Sequence, residues 1–329
     1  MDRREAIGLG LLGATLLSQA ATAQPVAMGA DGYLPGDSRE FVPLWPGVPP
    51  GGDGIALTLR FTETIEPDGF HVRSVSRIQT PGLVVYRPAK PNGLSILVIP
   101  GGSYVSEGMD RGGREVAQRF ADAGITAFIL RYRLPGEGWR NRSDVPLQDA
   151  QRAMRLIRAT ASRYGIDPNR LAVIGFSAGG HLAASLATRF AANVYAPVDA
   201  IDQQPTKPVI AGLMYPVVTM GAGAHAQSRS MLLGPSPAPE AIDAYSVDRH
   251  VPADTAPSFI CLPADDAIVE PIPNGVALYL AMQRAKIPSD LHVFEVGGHG
   301  FSLHWAQGKP AAAWPGLFLS WAATHGFQA

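Results

Sequence analysis

Short runs of consecutive apolar residues recur along the chain and alternate with segments of helical periodicity. The runs that predict buried strands occupy residues 94–99, 124–131, 171–174 and 213–218. Residues 111–123 and 147–164 place apolar side chains near one face, which predicts two helices. Alternation of this kind predicts an α/β fold, in which a mostly parallel central sheet is covered by helices on both faces.

Three segments depart from this alternation. Residues 24–54 are rich in Pro and Gly, which predicts an irregular cover over the domain. Residues 55–87 favour β-hairpin strands that open the sheet. Residues 221–245 have little regular pattern, and two interpretations stay open: a lid or acyl-pocket wall, or a long surface connection.

The first 23 residues predict an export signal. Charged residues are followed by the apolar run 6–17 and by Ala21-Thr-Ala23, which matches an A-x-A cleavage site. Arg3-Arg4 resembles part of a twin-arginine signal, and a membrane anchor is the alternative. We therefore expect cleavage near Ala23, a single mature domain over residues 24–329 and a periplasmic or secreted protein.

Composition narrows the function classes. The chain has 329 residues, of which 46% are hydrophobic and 17% charged, and its formal net charge is −1. Nucleic acid and anionic membrane surfaces are therefore not expected partners, and the oligomeric state stays open. The single cysteine, Cys261, lies in a predicted core strand, so no intramolecular disulfide is expected.

The most informative motif is G-x-S-x-G at residues 175–179. An apolar strand leads directly into it, and a run rich in Ala and Leu over residues 181–190 follows it. This strand–turn–helix context is what a nucleophile elbow requires, because the serine must sit on a sharp turn at the end of a strand. Ser177 is therefore the candidate nucleophile of a serine hydrolase.

The partners of such a serine follow in the order carboxylate and then histidine. A short apolar strand ends in Asp265 and Asp266, and a later strand ends in a Gly-Gly-His-Gly turn at His299. Because reactive groups gather at the carboxyl ends of strands, His299 is the candidate base and one of the two aspartates the candidate acid. We expect His304 and His181 to be packing or rim residues.

Acyl transfer also needs backbone amides aimed at the developing oxyanion. One is expected from Ala178, the residue after the nucleophile. The others are expected from Gly102 and Ser103, in the turn that follows the apolar strand 94–99. Which two amides act together is left open. Lipases often carry His-Gly-Gly-Gly at this turn, and here Pro100 and Ser103 replace its first and last residues.

The motifs together resemble the bacterial acetylxylan/feruloyl esterase-like group of α/β-hydrolases, whose members are often described as endoxylanases. The residues that carry the resemblance lie at 43–51, 99–104, 130–135, 146–152, 175–181, 264–269 and 291–301. The resemblance implies that the triad acid is Asp266, in the segment 264–269. That family also carries a Glu-Gly pair after the oxyanion turn, and we interpret residues 110–114 as its replacement here.

The resemblance implies an exported serine carboxylesterase acting on short acyl esters, acetyl or feruloyl, of plant polysaccharide or oligosaccharide. Tyr104 and Trp139 are weaker candidates for substrate contact at the mouth of the site. No metal or organic cofactor is expected, since serine, histidine and backbone amides suffice for acyl transfer. The alternatives are a prolyl-oligopeptidase-like serine peptidase, although few residues precede the catalytic region to build its usual propeller, and a non-catalytic binding protein.

Overall fold

A computed structural model of the protein describes residues 28–29 and 31–329. The expected export signal at residues 1–23 lies outside the described residues. Among those that are described, no helix is both long and apolar enough to cross a membrane.

The central sheet has eight strands. These are β1 (Phe41–Pro43), β4 (Gly82–Tyr86), β5 (Ser95–Ile99), β7 (Thr126–Arg131), β8 (Leu171–Phe176), β9 (Ala211–Met214), β10 (Ser258–Pro263) and β11 (Ser289–Phe294). Their order across the sheet is β1-β4-β7-β5-β8-β9-β10-β11, and the strands from β7 onward are mutually parallel. This is the α/β-hydrolase arrangement expected from the sequence.

Helices pack on both faces of this sheet. They are α1 (Glu115–Asp122), α2 (Val145–Ala159), α3 (Ala161–Tyr164), α4 (Ala178–Thr188), α5 (Ala226–Leu233), α6 (Pro239–Ala244), α7 (Ala277–Arg284) and α8 (Trp314–Thr324). The helix predicted over residues 111–123 begins later, because Gly112 has φ +71° inside a tight turn at residues 110–114. Residues 221–245, expected to be irregular, contain α5 and α6.

A second, smaller sheet stands apart from the central one. Its strands are β2 (Arg60–Ile65), β3 (His71–Ser76) and β6 (Glu107–Gly108), and they pair in the order β2-β3-β6. The expectation that residues 55–87 open the central sheet is therefore correct for β4 and wrong for the hairpin β2–β3. β2 alternates exposed and half-buried positions over most of its length, whereas every residue of β4 is buried, as a strand covered on both faces requires.

The two faces of the central sheet carry separate apolar cores. Leu97, Ile99 and Val173 belong to one core, and Ile96 and Ile174 to the other. The alternation follows from the period of two along a strand. Cys261 is fully buried, as expected for a core strand, and its burial raises the pKa of the thiol. The cores fix β5 and β8 rigidly, and the residues that follow these two strands form the candidate site.

Candidate active site

Ser177 lies in a strained turn between β8 and α4. Its backbone adopts φ 55° and ψ −118°, a conformation that residues with side chains rarely take. The flanking glycines make the turn possible. A Cβ atom on Gly175 would lie 2.2 Å from the carbonyl oxygen of Gly179, and one on Gly179 would lie 2.3 Å from that of Ile99. The G-x-S-x-G pattern is thus required by backbone contacts.

The structure brings Ser177, His299 and Asp266 together. The Oγ atom of Ser177 is 2.8 Å from Nε2 of His299, and Nδ1 of His299 is 2.7 Å from Oδ2 of Asp266. A carboxylate can only accept, so Nδ1 carries the proton and donates it to Asp266. Nε2 is then free to accept the hydroxyl proton of Ser177, which is the arrangement of a serine nucleophile with its base.

The two neighbouring aspartates make different contacts. Oδ1 of Asp266 accepts hydrogen bonds from the amides of Ile268 and Val269, which orients its other oxygen toward His299. Asp265 instead accepts from the amides of Gly298 and Gly297, and these bonds lower the pKa of its carboxyl group. The structure therefore places Asp266 against the imidazole and uses Asp265 to hold the turn before it.

The turn after β5 presents unpaired backbone amides to the site. Gly102 and Ser103 have φ values of +139° and +58°, and a Cβ atom on Gly102 would lie 2.0 Å from the carbonyl oxygen of Ser106. Within the described part of the chain, the amides of Gly102, Ser103 and Ala178 have no hydrogen-bond acceptor. They are therefore available to an oxyanion, and the choice between Gly102 and Ser103 stays open.

A buried glutamate behind this turn escaped the sequence analysis. The Glu-Gly pair taken to be replaced is present as Glu107-Gly108. Oε1 of Glu107 accepts the amide of Tyr132 at 2.5 Å, and the Tyr132 hydroxyl donates to the carbonyl oxygen of Pro100 at 3.1 Å. Burial raises the pKa of Glu107 well above its ordinary value. This network supports the oxyanion turn. The Glu-Gly pair in the sequence was the signal by which Glu107 could have been found.

Ser177 and His299 open onto a cleft of about 530 Å³. Other elements also supply its lining, namely Thr62, Thr64, Val72, Arg73, Ser74, Ser106, Arg111, Phe176, Tyr215, His225, Gln227 and Ile268. The cleft therefore combines the central sheet with the β2–β3 hairpin and with the start of α5. Of the two interpretations of residues 221–245, a wall of the pocket agrees with the positions of His225 and Gln227. Burial and the nearby His299 lower the pKa of His225.

The two aromatic residues expected at the mouth lie elsewhere. Tyr104 is 1% exposed, and its hydroxyl bonds to Nδ1 of His181 at 2.8 Å. Trp139 is 4% exposed and lies under the guanidinium of Arg133, 5.1 Å from the ring centre. Neither lines the cleft, because core packing encloses both rings, and their assignment to substrate contact is corrected. His304, expected as a packing or rim residue, stacks on Phe70 at 3.8 Å between ring centres.

Comparison with known proteins identifies the family. The profile of the BD-FAE family matches residues 83–281, which is more than half of the chain. The chain belongs to the BD-FAE family. It is 35% identical over 227 residues to endo-1,4-beta-xylanase B of Butyrivibrio fibrisolvens and 31% identical over 223 residues to acetylxylan esterase of Xylanibacter ruminicola. Each alignment covers 67% of this chain but only 34% and 43% of those two proteins, respectively.

Solved structures agree with this assignment. The acetyl ester-xyloside bifunctional hydrolase of Caldicellulosiruptor lactoaceticus superposes with a TM-score of 0.73 at 29% identity, covering 89% of this BD-FAE chain and 98% of that one. The resemblance predicted from the sequence motifs is therefore confirmed at the level of family and fold.

Proposed function

We propose that the protein is a serine carboxylesterase that hydrolyses short acyl esters, acetyl esters foremost, through an acyl-enzyme on Ser177. The observation that carries the proposal is the continuous relay from Ser177 Oγ through His299 to Asp266, with distances of 2.8 and 2.7 Å. The names of relatives support it: besides the acetylxylan esterase, an ethyl acetate hydrolase of Pseudomonas putida is 36% identical over 115 residues.

In the proposed acylation step, Ser177 Oγ attacks the ester carbonyl carbon while Nε2 of His299 takes the hydroxyl proton. The carbonyl oxygen becomes an oxyanion and accepts hydrogen bonds from the amide of Ala178 and from one amide of the turn at Gly102 and Ser103. Each such donor is worth about 3 kcal/mol of transition-state stabilisation. Collapse of the tetrahedral intermediate breaks the carbon–oxygen bond, and His299 returns the proton to the departing alcohol.

Deacylation repeats these steps with water in place of the alcohol. His299 takes a proton from the water, the hydroxide oxygen attacks the acyl carbon, and the free acid leaves as Ser177 regains its proton. Asp266 acts in both steps by holding the imidazole in the tautomer with a proton on Nδ1 and by stabilising the imidazolium. The amides of Ile268 and Val269 hold the carboxylate of Asp266 in this orientation even without substrate.

The proposed substrates are acetyl or feruloyl esters of plant polysaccharide or its oligosaccharides. Support comes from the name of the acetylxylan esterase relative and from the hydroxyl groups of Thr62, Thr64, Ser74 and Ser106 that line the cleft. Sugars are recognised by hydrogen bonds from such groups. A cleft of about 530 Å³ is large enough for an acyl group together with a sugar ring.

The test measures hydrolysis of p-nitrophenyl acetate, butyrate and octanoate, together with acetate release from acetylated xylan. Ser177→Ala should abolish both activities, whereas Ser320→Ala, which removes an exposed hydroxyl of α8 outside the cleft, should retain them. Cleavage of peptide anilides with no ester hydrolysis would move the assignment to a serine peptidase. A folded wild-type protein that is inactive on every substrate would support a non-catalytic binding protein.

We also propose that the protein is exported after cleavage of residues 1–23. Support comes from the charged start, the apolar run and the A-x-A site in the sequence. Mass spectrometry of the protein expressed from the full-length sequence in a bacterial host would test this. A mature N-terminus at Gln24 in the periplasm or medium is expected, and an intact N-terminus in the cytoplasm would overturn the proposal.

A further inference from the structure

Arg111 brings a positive charge to the cleft that the proposed chemistry does not use. The residue is exposed and lines the same cleft as Ser177 and His299. Its guanidinium lies over the ring of Trp305, 4.7 Å from the ring centre. It also packs against the residue after the candidate base, since a Cβ atom on Gly300 would lie 3.2 Å from the guanidinium carbon. The charge is therefore held close to the reacting groups.

The turn that carries Arg111 is fixed on both sides. Asp110 is fully buried, and its carboxylate accepts hydrogen bonds from Nε and the amide of Arg73. The amide of Gly112 donates to Oγ of Ser302, and a Cβ atom on Gly112 would lie 3.0 Å from the ring of Phe176. Because the backbone on either side of Arg111 is locked against the residue before the nucleophile, little ordering is left to occur when a ligand binds.

The charge of Arg111 is not compensated within the cleft. Arg73, the other arginine in the lining, is buried and paired with Asp37 and Asp110. Arg111 forms no ion pair and donates no hydrogen bond to any residue that the structure describes. The carboxylate of Asp266 faces His299 and two backbone amides. A guanidinium with free donors beside a reaction site suits a carboxylate, which it can bind through two parallel hydrogen bonds.

The same cleft carries hydroxyl groups from the hairpin. Thr62 and Thr64 of β2 and Ser74 of β3 line it, and the hydroxyls of Thr62 and Ser74 lie 2.7 Å apart. Hydroxyls at these positions suit the alcohol part of a sugar ester better than a hydrocarbon acyl chain. The guanidinium of Arg111 and these hydroxyls together suit a sugar that bears a carboxylate.

We propose that Arg111 binds a carboxylate on the alcohol part of the ester, so that acylated sugars carrying a uronic acid are favoured substrates. This inference rests on the proposed function and specifies its substrate class. It makes Arg111 a residue that determines specificity rather than rate, because the same acyl group is transferred from neutral and anionic sugars.

The kinetic test uses monoacetylated methyl glucuronide and methyl glucoside, which differ by one carboxylate. We expect wild type to favour the glucuronide about tenfold in kcat/KM, and Arg111→Gln to lose this preference with the glucoside unchanged. Arg119→Gln, which removes an exposed arginine of α1 away from the cleft, is the matched control and should keep the preference. Equal rates on both sugars in wild type, or an unchanged preference in Arg111→Gln, would overturn the proposal.

A second pair of substrates locates the carboxylate. Monoethyl succinate carries a carboxylate on its acyl part and ethyl butyrate is its neutral counterpart, and Arg111→Gln should change the ratio of their rates by less than about twofold. A larger change there than with the sugars would overturn the assignment to the alcohol part. p-Nitrophenyl acetate measures basal activity separately, and failure on this ester refutes the esterase proposal itself.

A binding measurement separates the two proposals completely. In the Ser177→Ala background, titration with a xylo-oligosaccharide carrying one glucuronic acid should give about tenfold tighter binding than the neutral oligosaccharide of equal length. The preference should weaken with salt, since an exposed ion pair is screened, and disappear when Arg111→Gln is added. Equal affinities for the two oligosaccharides would refute the carboxylate subsite even in a protein that hydrolyses no ester.

Discussion

His181 couples the stability of the site to pH. It lies in the first turn of α4, is almost fully buried, and its Nε2 atom is 2.9 Å from the carbonyl oxygen of Tyr245. A carbonyl can only accept, so Nε2 carries the proton and Nδ1 accepts the hydroxyl of Tyr104 at 2.8 Å. Burial is the main cause that lowers the pKa of His181 from 6.5 to about 4, while the bond to Tyr245 opposes the shift.

The sign and size of the effect follow from this lowered pKa. Between pH 6.5 and pH 4 the unfolded chain binds a proton at His181 that the folded protein does not. The stability contribution is therefore complete above pH 6.5 and is lost as the pH falls. The slope is about 1.4 kcal/mol per pH unit, which amounts to about 2 kcal/mol between pH 7.5 and pH 5.

Urea-induced unfolding of wild type and His181→Gln at several pH values between 7.5 and 5 tests this reasoning. Glutamine can donate to Tyr245 and accept from Tyr104 without gaining charge. The free energy of unfolding of the variant should therefore fall by about 2 kcal/mol less than that of wild type over this range. Parallel curves for the two proteins would refute the reasoning and assign the acid sensitivity to other groups.

Three further predictions concern the site and its support. Asp266→Asn should lower kcat on p-nitrophenyl acetate by about 10³- to 10⁴-fold, whereas Asp265→Asn should change kcat by less than about tenfold. Similar losses of kcat in the two variants would contradict the distinct roles inferred from the contacts of the two carboxylates. Gly179→Ala should lower the free energy of unfolding in urea by about 1–3 kcal/mol, because the new Cβ would lie 2.3 Å from two carbonyl oxygens. Gly316→Ala is the control on α8: its new Cβ meets nothing nearby, so the substitution should be neutral or stabilising. Burial raises the pKa of Glu107, so the stability that its protonated form contributes is lost as the pH rises above 4.5. The free energy of unfolding of Glu107→Gln should therefore increase relative to that of wild type by about 1.4 kcal/mol per pH unit, up to the pKa of Glu107 in the folded protein. A difference that stays constant with pH would contradict this.

The parts of the site that were predictable from the sequence are those set by local backbone geometry. The elbow at Ser177 needs a strand, two glycines and a helix within a few residues, and all are contiguous in the chain. The positions of Asp266 and His299 followed from strand ends, because parallel strands deliver their carboxyl ends to one edge. The choice of Asp266 over Asp265 needed the family resemblance, since both follow the same strand.

The parts that the sequence did not reveal depend on contacts between distant segments. Tyr104 and Trp139 follow strands near the site, but packing turns both rings into the core. The hairpin β2–β3 was assigned to the central sheet because strand propensity does not specify which sheet a strand joins. Its pairing with β6 at Glu107 joins residues more than thirty positions apart, so its place beside the cleft has no short-range signal in the sequence.

The buried ion pairs of Arg73 connect the β2–β3 hairpin, which lines the cleft, to the turn that carries Arg111. Arg73 belongs to β3, and it bonds to Asp110 at the start of the turn that carries Arg111. Breaking such a buried pair from one side typically costs about 3–5 kcal/mol, so the hairpin and the turn are held as one unit. The hydroxyls of the hairpin and the guanidinium of Arg111 therefore keep a fixed spacing relative to Ser177. Under the two proposals, the alcohol part of the ester determines selection by its shape and charge, while the proposed relay of Ser177, His299 and Asp266 performs the same chemistry on every substrate.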